Sequence, residues 1–425
     1  MPEKLIKHSE NKLLIIGTVW PEPQSTAAGS RMVQLINLFS QNNWTITFAC
    51  PAAFGEFSFD LIQLGVTCVD VSINDSKFDE FVLELSPDVV IFDRFITEEK
   101  FGWRVVENCP NALRILDMED LHCLRIGRHN ALKRSDIFSN NDLLNDVSFR
   151  EIASIYRCDL SLVISQFEMD LLQNYFKVDK SILFYLPFTT PILDKKSILE
   201  LPNYETRKHF VSIGNFFHQP NLDSVKYLKK EIWPFIHQEL PNVEMHIYGA
   251  YPSQQVVEMH DPKNNFLVKG RAEDAKKISK NARILLAPLR FGAGLKGKLF
   301  EAMQTGTPSV TTSIGAEGMH GDLPWNGFIE DNPINFAKAA IRLYQENLIW
   351  SESQIKGINI LNSCFNEDEY LPQFISLINA LTNNLNIHRN ANFTGSMLLS
   401  QTLSSTKYMS KWIEEKARNS NAPIN

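Results

Sequence analysis

Residues 284–319 read ILLAPLRFGAGLKGKLFEAMQTGTPSVTTSIGAEGM, and chemically useful side chains cluster in their first half. Gly292, Gly294 and Gly297 allow positive φ and close backbone approach, a freedom that costs stability unless something uses it. Lys296 and Lys298 put two cations in the same loop, and Glu301 follows one turn later. A glycine loop that runs into a helix offers free N–H groups and a positive dipole end to an anion. A carboxylate at Glu301 suits ribose hydroxyls better than phosphates. The pattern therefore fits a ligand that carries phosphates and a ribose. Its phosphates would lie on the backbone of Gly292, Gly294 and Leu295 and on Lys296, Lys298 and Arg290, with its ribose on Glu301. The structural alternative, a surface Lys298–Glu301 pair at i,i+3 worth tenths of a kcal/mol, stays open. A P-loop is the other competitor, since Gly292-x-x-x-x-Gly297-Lys298 has its spacing. Leu299 then stands where a Ser or Thr should hold magnesium, and the stretch comes late in the chain.

A second group of polar residues lies in the first half of the chain. Asp93 and Arg94 end one apolar run. Asp117 ends the next and opens the run Asp117-Met118-Glu119-Asp120-Leu121-His122. In an open parallel sheet such residues emerge at the carboxyl edge, where substrates sit. Asp93, Arg94 and Asp120 are candidates for the acceptor side, and His122 for a catalytic contact. Asp120 is equally a helix N-cap. Arg125 and Arg128 read as a solvated helix face.

The elements that must position these residues alternate. Strand-like runs at 12–17, 44–49, 66–71, 89–93, 113–117 and 160–164 are separated by helical patterns. A proline-bearing stretch without period, 186–204, reads as a linker. A second series follows, with strands at 209–214, 243–249, 266–270, 284–287 and 307–312. Helices are expected at 31–40, 221–237, 272–280, 336–345, 350–361 and 370–381. Alternation of this kind implies α/β domains with parallel sheets covered on both faces. The domains are expected at 1–190 and 205–383, joined by a linker at 191–204 and followed by a polar tail at 384–425. The tail carries Leu398, Leu399, Leu403, Met409, Trp412 and Ile413 as an irregular apolar side. Docking on the body, a partner or a membrane surface, and mobility all stay open for it.

The 284–319 stretch resembles the C-terminal half-site of GT-B glycosyltransferases, especially family 4, in its proline, glycine loop, Glu301-Ala302-Met303 and Gly306-x-Pro308. The resemblance implies two Rossmann-like domains facing across a cleft. It also implies that Glu301 binds the nucleotide ribose, that anomeric configuration is retained and that no metal is obligatory. Family members often carry a second Glu where this chain has Ala293, which leaves open what holds the donor sugar. Small residues before the first helix, Ala27-Ala28-Gly29, resemble the family's glycine loop near donor phosphate, which makes Gly29 a donor candidate. A plain connection capped by Ser30 is the alternative. The loop Gly214-Asn215-Phe216-Phe217-His218 also resembles this group, with Asn215 at the donor. It lacks the Arg and Lys that many relatives use against the diphosphate, so the charge must come from Lys296 and Lys298, with Arg290. Gly270 and Arg271 would meet the base through backbone atoms, the Arg271 side chain being solvated.

Formal net charge is −7, against a general nucleic-acid binder. Six cysteines without a C-x-x-C pair suit a reducing compartment and no zinc site. The first twelve residues lack the apolar core of a signal peptide, and no run of 18 apolar residues occurs. A cytoplasmic protein is expected, with a peripheral contact at the inner face of a membrane as an option. The expected function is transfer of a sugar from a nucleotide diphosphate sugar to a glycan, lipid-linked or protein acceptor, with no cofactor. A nucleotide-sugar epimerase and a catalytically silent nucleotide- or glycan-binding subunit are the alternatives.

Overall fold

The computed structural model describes residues 11–421, without the side chains of 401–404 and 419–421. The signal-peptide expectation rests mostly on residues 1–10, and Leu403 is among the omitted side chains; both lie outside the described residues.

The first sheet contains β1 (Lys12–Ile16), β2 (Thr45–Cys50), β3 (Thr67–Asp70), β4 (Val89–Asp93), β5 (Leu113–Asp117), β6 (Leu160–Val163) and β7 (Leu183–Tyr185). The second contains β8 (Lys208–Ile213), β9 (Met245–Tyr248), β10 (Phe266–Gly270), β11 (Ala282–Ala287), β12 (Ser309–Thr311) and β13 (Gly327–Ile329). Their orders are β3-β2-β1-β4-β5-β6-β7 and β10-β9-β8-β11-β12-β13, all parallel. Both faces of the central strands are buried, which is why they read as unbroken apolar runs. In β1, Leu14 and Ile16 enter one core and Leu13 and Ile15 the other.

In each sheet the order reverses once, between β1 and β4 and between β8 and β11. A crevice opens beyond the strand ends at such a point. The loops after these four strands carry Thr18, Arg94, Asn215 and Leu289, and all four line one cavity between the domains.

Several boundaries differ from expectation. The first helix starts at Ala27, not at 31, and its cap is Thr26, whose side chain accepts from Gly29 N at 2.9 Å; Ser30 is not the cap. The helix expected over 221–237 is interrupted. Gln219–Tyr227 runs through a wider turn at Leu228–Ile232 into Trp233–Glu239, with Pro234 at the start of the last segment. Proline lacks the N–H that a continuous helix needs there. Strands β7 and β13 have three residues each, too few for a period to show.

The 205–383 domain boundary is corrected, and of the options left open for the tail the structure shows docking on the body. The helix Glu367–Asn383 returns to the first domain, where Phe374, Ile378 and Leu381 share a core with Leu13, Phe39 and Leu160. Thr190 and Asn366 form a parallel bridge, so two crossings of the chain run side by side. The tail continues as helices Leu385–Ala391 and Phe393–Asn421, and it docks on the body. Arg389 reaches Asp159 at 2.7 and 2.8 Å, and Arg104 pairs with Glu414. Among the described residues, no helix is long and apolar enough to cross a membrane.

Candidate active site

The cavity between the domains measures about 550 Å³. From the first domain it is lined by Thr26, Ala27, Ala28, Arg94, Glu119, Asp120 and His122. The second contributes Asn215, His218, Asn221, Arg271, Gly292, Leu295, Lys296, Lys298 and Glu301. Residues far apart in sequence thus meet because both sheets present their carboxyl edges to the same space.

The helix Gly297–Gln304 points its start into this cavity and has no side-chain cap. Its first N–H groups are left for a ligand or for water. Lys296 is buried and donates to Gly294 O at 2.5 Å. Burial, only partly offset by Glu317, lowers its pKa to about 8. Lys298 donates to Asn221 Oδ1 at 2.7 Å, and burial lowers its pKa to about 8 as well. Its ammonium lies 3.0 Å from where a Cβ on Gly214 would stand. Lys298 therefore fills the space beside the basic-poor loop after β8. Among the described residues Lys298 and Glu301 form no ion pair, which removes the surface-pair alternative. Glu301 lines the cavity with its carboxylate unpaired, and burial raises its pKa.

The glycines divide by cause. Gly294 has φ +63, a conformation that L side chains avoid, and a Cβ there would stand 2.9 Å from Asp120. Gly297 does not have positive φ. A Cβ there would meet Ala27 at 2.5 Å, so closure of the domains demands that glycine. A Cβ on Gly29 would stand 2.5 Å from the backbone of Glu22, so close packing demands that glycine, and Gly29 does not line the main cavity. Nor do Gly270 and Gly294, although Gly292 does.

His122 starts the helix His122–Lys133. Its Nδ1 faces two oxygens, Asp120 O at 2.9 Å and Glu151 Oε1 at 3.2 Å. Nδ1 must therefore donate, which assigns the proton to it by network and leaves Nε2 without a partner among the described residues. Burial works against a charged ring, but Asp120 and Glu151 outweigh it and raise the pKa. Glu151 also accepts from the backbone of His122 at 2.9 Å and Cys123 at 3.0 Å, so it caps this helix from another one. Asp120 pairs with Arg125 at 2.8 Å. Burial opposes its charge, yet Arg125, His122 and His218 hold it well below the usual carboxylate range. Beside it, burial and Asp117 push Glu119 up to about 8, and its Oε1 is buried without a partner.

Other expectations need correction. Asp117 does not face substrate; it is fully buried and bonds Arg31 at 2.9 Å. Arg125 and Arg128 are not a solvated face. Arg128 is buried and joins the domains, donating to Gly292 O at 2.9 Å and to Glu317 at 2.8 and 2.6 Å. Arg271 is not simply solvated: its guanidinium lies 4.0 Å over the Phe57 ring of the first domain. Asp93 lies outside the main cavity, in a smaller one beside it, whereas Arg94 lines both. Arg290 is turned away from the main cavity. It pairs with Asp223, Nε to Oδ2 at 2.9 Å, over the ring of Tyr227. Arg290→Ala is accordingly expected to change nucleotide affinity by less than about 1 kcal/mol in calorimetry.

Besides Glu151, two groups were missed. Glu168 Oε1 accepts from Gly294 N at 2.7 Å and Leu121 N at 3.1 Å, tying the glycine loop to the His122 loop. Burial and Asp120 push its pKa up to about 8. Ala293 is packed into the first domain's core, so the carboxylate beside the glycine loop comes from Glu168 instead. His218 lines the cavity, and burial lowers its pKa to about 4. The visible signals were an acidic residue on the otherwise apolar side of the helix Gln166–Asn174 and a histidine in the loop after β8.

One described cluster has metal-ligand composition, His209, Glu244 and His246. It sits at the amino ends of β8 and β9, away from the cavity. His209 Nδ1 already accepts from Glu244 N at 3.1 Å, which puts the neutral ring's proton on Nε2 and leaves no free lone pair.

Comparison with known proteins agrees with this geometry. Residues 207–346 match the profile of Glycosyl transferases group 1. A curated relative, an "uncharacterized 44.6 kDa protein in cps region" of Klebsiella pneumoniae, is 26% identical over 143 residues, 32% of this chain and 37% of that protein. The match thus spans well under half of that relative. Anabaena HepE in complex with UDP and glucose superposes with a TM-score of 0.65 at 13% identity, covering 87% of this chain and 100% of that one. A point mutant of S. aureus TarM, in complex with fondaparinux, alpha-GlcNAc-glycerol and UDP, gives 0.56 at 16% identity, covering 71% and 58%. The lipopolysaccharide outer core galactosyltransferase WaaB gives 0.54 at 14%, covering 87% and 99%. The fold is GT-B, two Rossmann-like domains facing across a cleft, and residues 207–346 of its second domain are similar to the group 1 glycosyltransferase profile.

Proposed function

We propose that the chain transfers a glycosyl group from a nucleoside diphosphate sugar to an acceptor, with retention and without a metal. The observation that carries this reading is the unpaired Glu301 carboxylate on the same uncapped helix start as Lys296 and Lys298, inside the cavity. A ribose on Glu301 would direct the diphosphate toward the helix N-terminus, where dipole and ammonium groups favour negative charge. The leaving diphosphate gains charge as the glycosidic bond breaks. Groups fixed against that charge stabilise the transition state more than the bound donor. His122 and Asp120 face the other wall, where His122 Nε2 is free for a hydroxyl of donor or acceptor. The closed contacts of Glu168 and Arg128 would hold these groups in register and exclude water.

Incubation with UDP-, GDP- and ADP-sugars tests the reading. The expected result is consumption of one donor with release of its nucleoside diphosphate and, with acceptor, a glycoside. A converted but intact nucleotide sugar would indicate an epimerase, and binding without turnover a silent subunit.

Glu301→Ala should weaken nucleotide binding by about 1.5–3 kcal/mol, the worth of hydrogen bonds to a charged group. The melting temperature should hardly move, because the carboxylate has no protein partner to lose. Titrations of UDP and GDP read this, and unchanged affinity for whichever binds would sink the ribose assignment.

A further inference from the structure

We infer that the smaller cavity beside the cleft is a subsite for one uncharged sugar ring of the acceptor. The inference rests on the glycosyl-transfer reading and narrows its acceptor to a carbohydrate.

This cavity measures about 230 Å³, on the scale of a single hexose. It adjoins the main one, since Thr26, Ala28, Arg94, Asn215 and Phe217 line both. A ligand in it would therefore lie next to the donor site. Its floor is apolar and buried, built from Trp20, Met32 and Phe48. Its outer wall is a stacked pair from the second domain, Phe217 on Tyr251, with ring centroids 4.5 Å apart and planes 17° apart. Phe217 is 73% exposed at the edge of a cleft, an aromatic face that water covers poorly. Tyr251 is held at φ 56, and its hydroxyl donates to Glu22 Oε1 at 2.8 Å across the domain boundary.

The polar side makes a matching demand. Asp93 is 5% exposed, and its Oδ2 accepts from Thr18 N at 3.1 Å while its Oδ1 is buried with no partner. Buried carboxylate oxygens are ordinarily hydrogen-bonded, so this one calls for a donor. Arg94, next to it, is held at φ 68, a costly conformation for a residue with a side chain. A pyranose meets both requirements, with C–H faces for aromatic and apolar walls and hydroxyls at its edge for Asp93 and Arg94. Charge narrows the choice. Two carboxylates, Asp93 and Glu22, face one guanidinium, so a uronate or sugar phosphate would be desolvated beside like charge.

Saturation-transfer NMR on the full chain tests this. The probes are methyl glycopyranosides of glucose, galactose, mannose and N-acetylglucosamine, with methyl glucuronide as the anionic comparison. Calorimetry with UDP, GDP and ADP runs in parallel on the same samples. The expected result is transfer to at least one neutral glycoside and none to the glucuronide. That signal should be lost in Asp93→Asn, which preserves shape, and in Met32→Trp, which fills the cavity, the nucleotide heat showing that each variant is folded. If a nucleotide binds but no neutral glycoside does, the subsite is wrong and the donor reading stands. A glucuronide signal as strong as the neutral one, or a neutral signal that survives both substitutions, also overturns it. If no nucleotide binds the parent protein, the donor reading falls and the acceptor inference falls with it.

Discussion

Replacing Lys296 and Lys298 together by Met should lower kcat by about 10²–10³-fold, the scale seen when a preorganised charge stabiliser is removed. Met keeps most of the side-chain length, so the loss reports charge. Binding of nucleoside should change little, while binding of nucleoside diphosphate should weaken. The structure sharpens this expectation. Asn221 and Gly294 O hold the two ammonium groups at the glycine loop, and burial has lowered both pKa values to about 8. A bound diphosphate would raise those values again. Below pH 8 the lysines already carry their protons. Above it they must take protons up, so diphosphate affinity should fall as pH rises through 8. Nucleoside affinity should not follow that slope. An unchanged ratio of diphosphate to nucleoside affinity in the double mutant would place the phosphates elsewhere.

His122→Ala should reduce turnover by about 10²-fold, within the range of positioned acid–base groups, with a smaller effect on donor affinity. The ring is fixed by Nδ1 against Asp120 O and Glu151, and only Nε2 remains for substrate. Glu151→Gln separates positioning from chemistry. Glutamine has one acceptor oxygen, so it can keep the bond from His122 N but not also the one from Cys123 N, and it removes a charge that raises the His122 pKa; the melting temperature of the variant reads the first effect and the pH profile the second. The limb of the pH–turnover profile that reports His122 should therefore move to lower pH. A profile that stays in place would mean that His122 does not titrate in the rate-determining step, and equal turnover in His122→Ala would remove it from the site.

The apolar runs that became β1, β4, β5 and β8 to β11 were legible because parallel strands bury both faces. The glycine loop was legible because its residue types are costly anywhere else. What stayed hidden depends on contacts between distant segments. Gly297 looks like a phosphate glycine, but Ala27 explains it. Arg290 looks available until Asp223 is seen beside it. Arg128 has the spacing of a surface residue and instead reaches across the cleft to Gly292 and Glu317. Glu168 and Glu151 act only through loops brought to them by the fold. The return of the helix Glu367–Asn383 could not be read, since an apolar stripe states that it is covered but not by which domain.

Everything proposed for the cleft depends on a nucleoside diphosphate lying in it with its ribose at Glu301 and its phosphates at Lys296 and Lys298. A crystal structure with whichever nucleoside diphosphate gives heat in calorimetry is the decisive measurement. Ribose hydroxyls should lie within hydrogen-bond distance of the Glu301 carboxylate, and phosphate oxygens at the start of the helix Gly297–Gln304. Nucleotide bound outside this cavity, or inside it with the ribose away from Glu301, would contradict that placement.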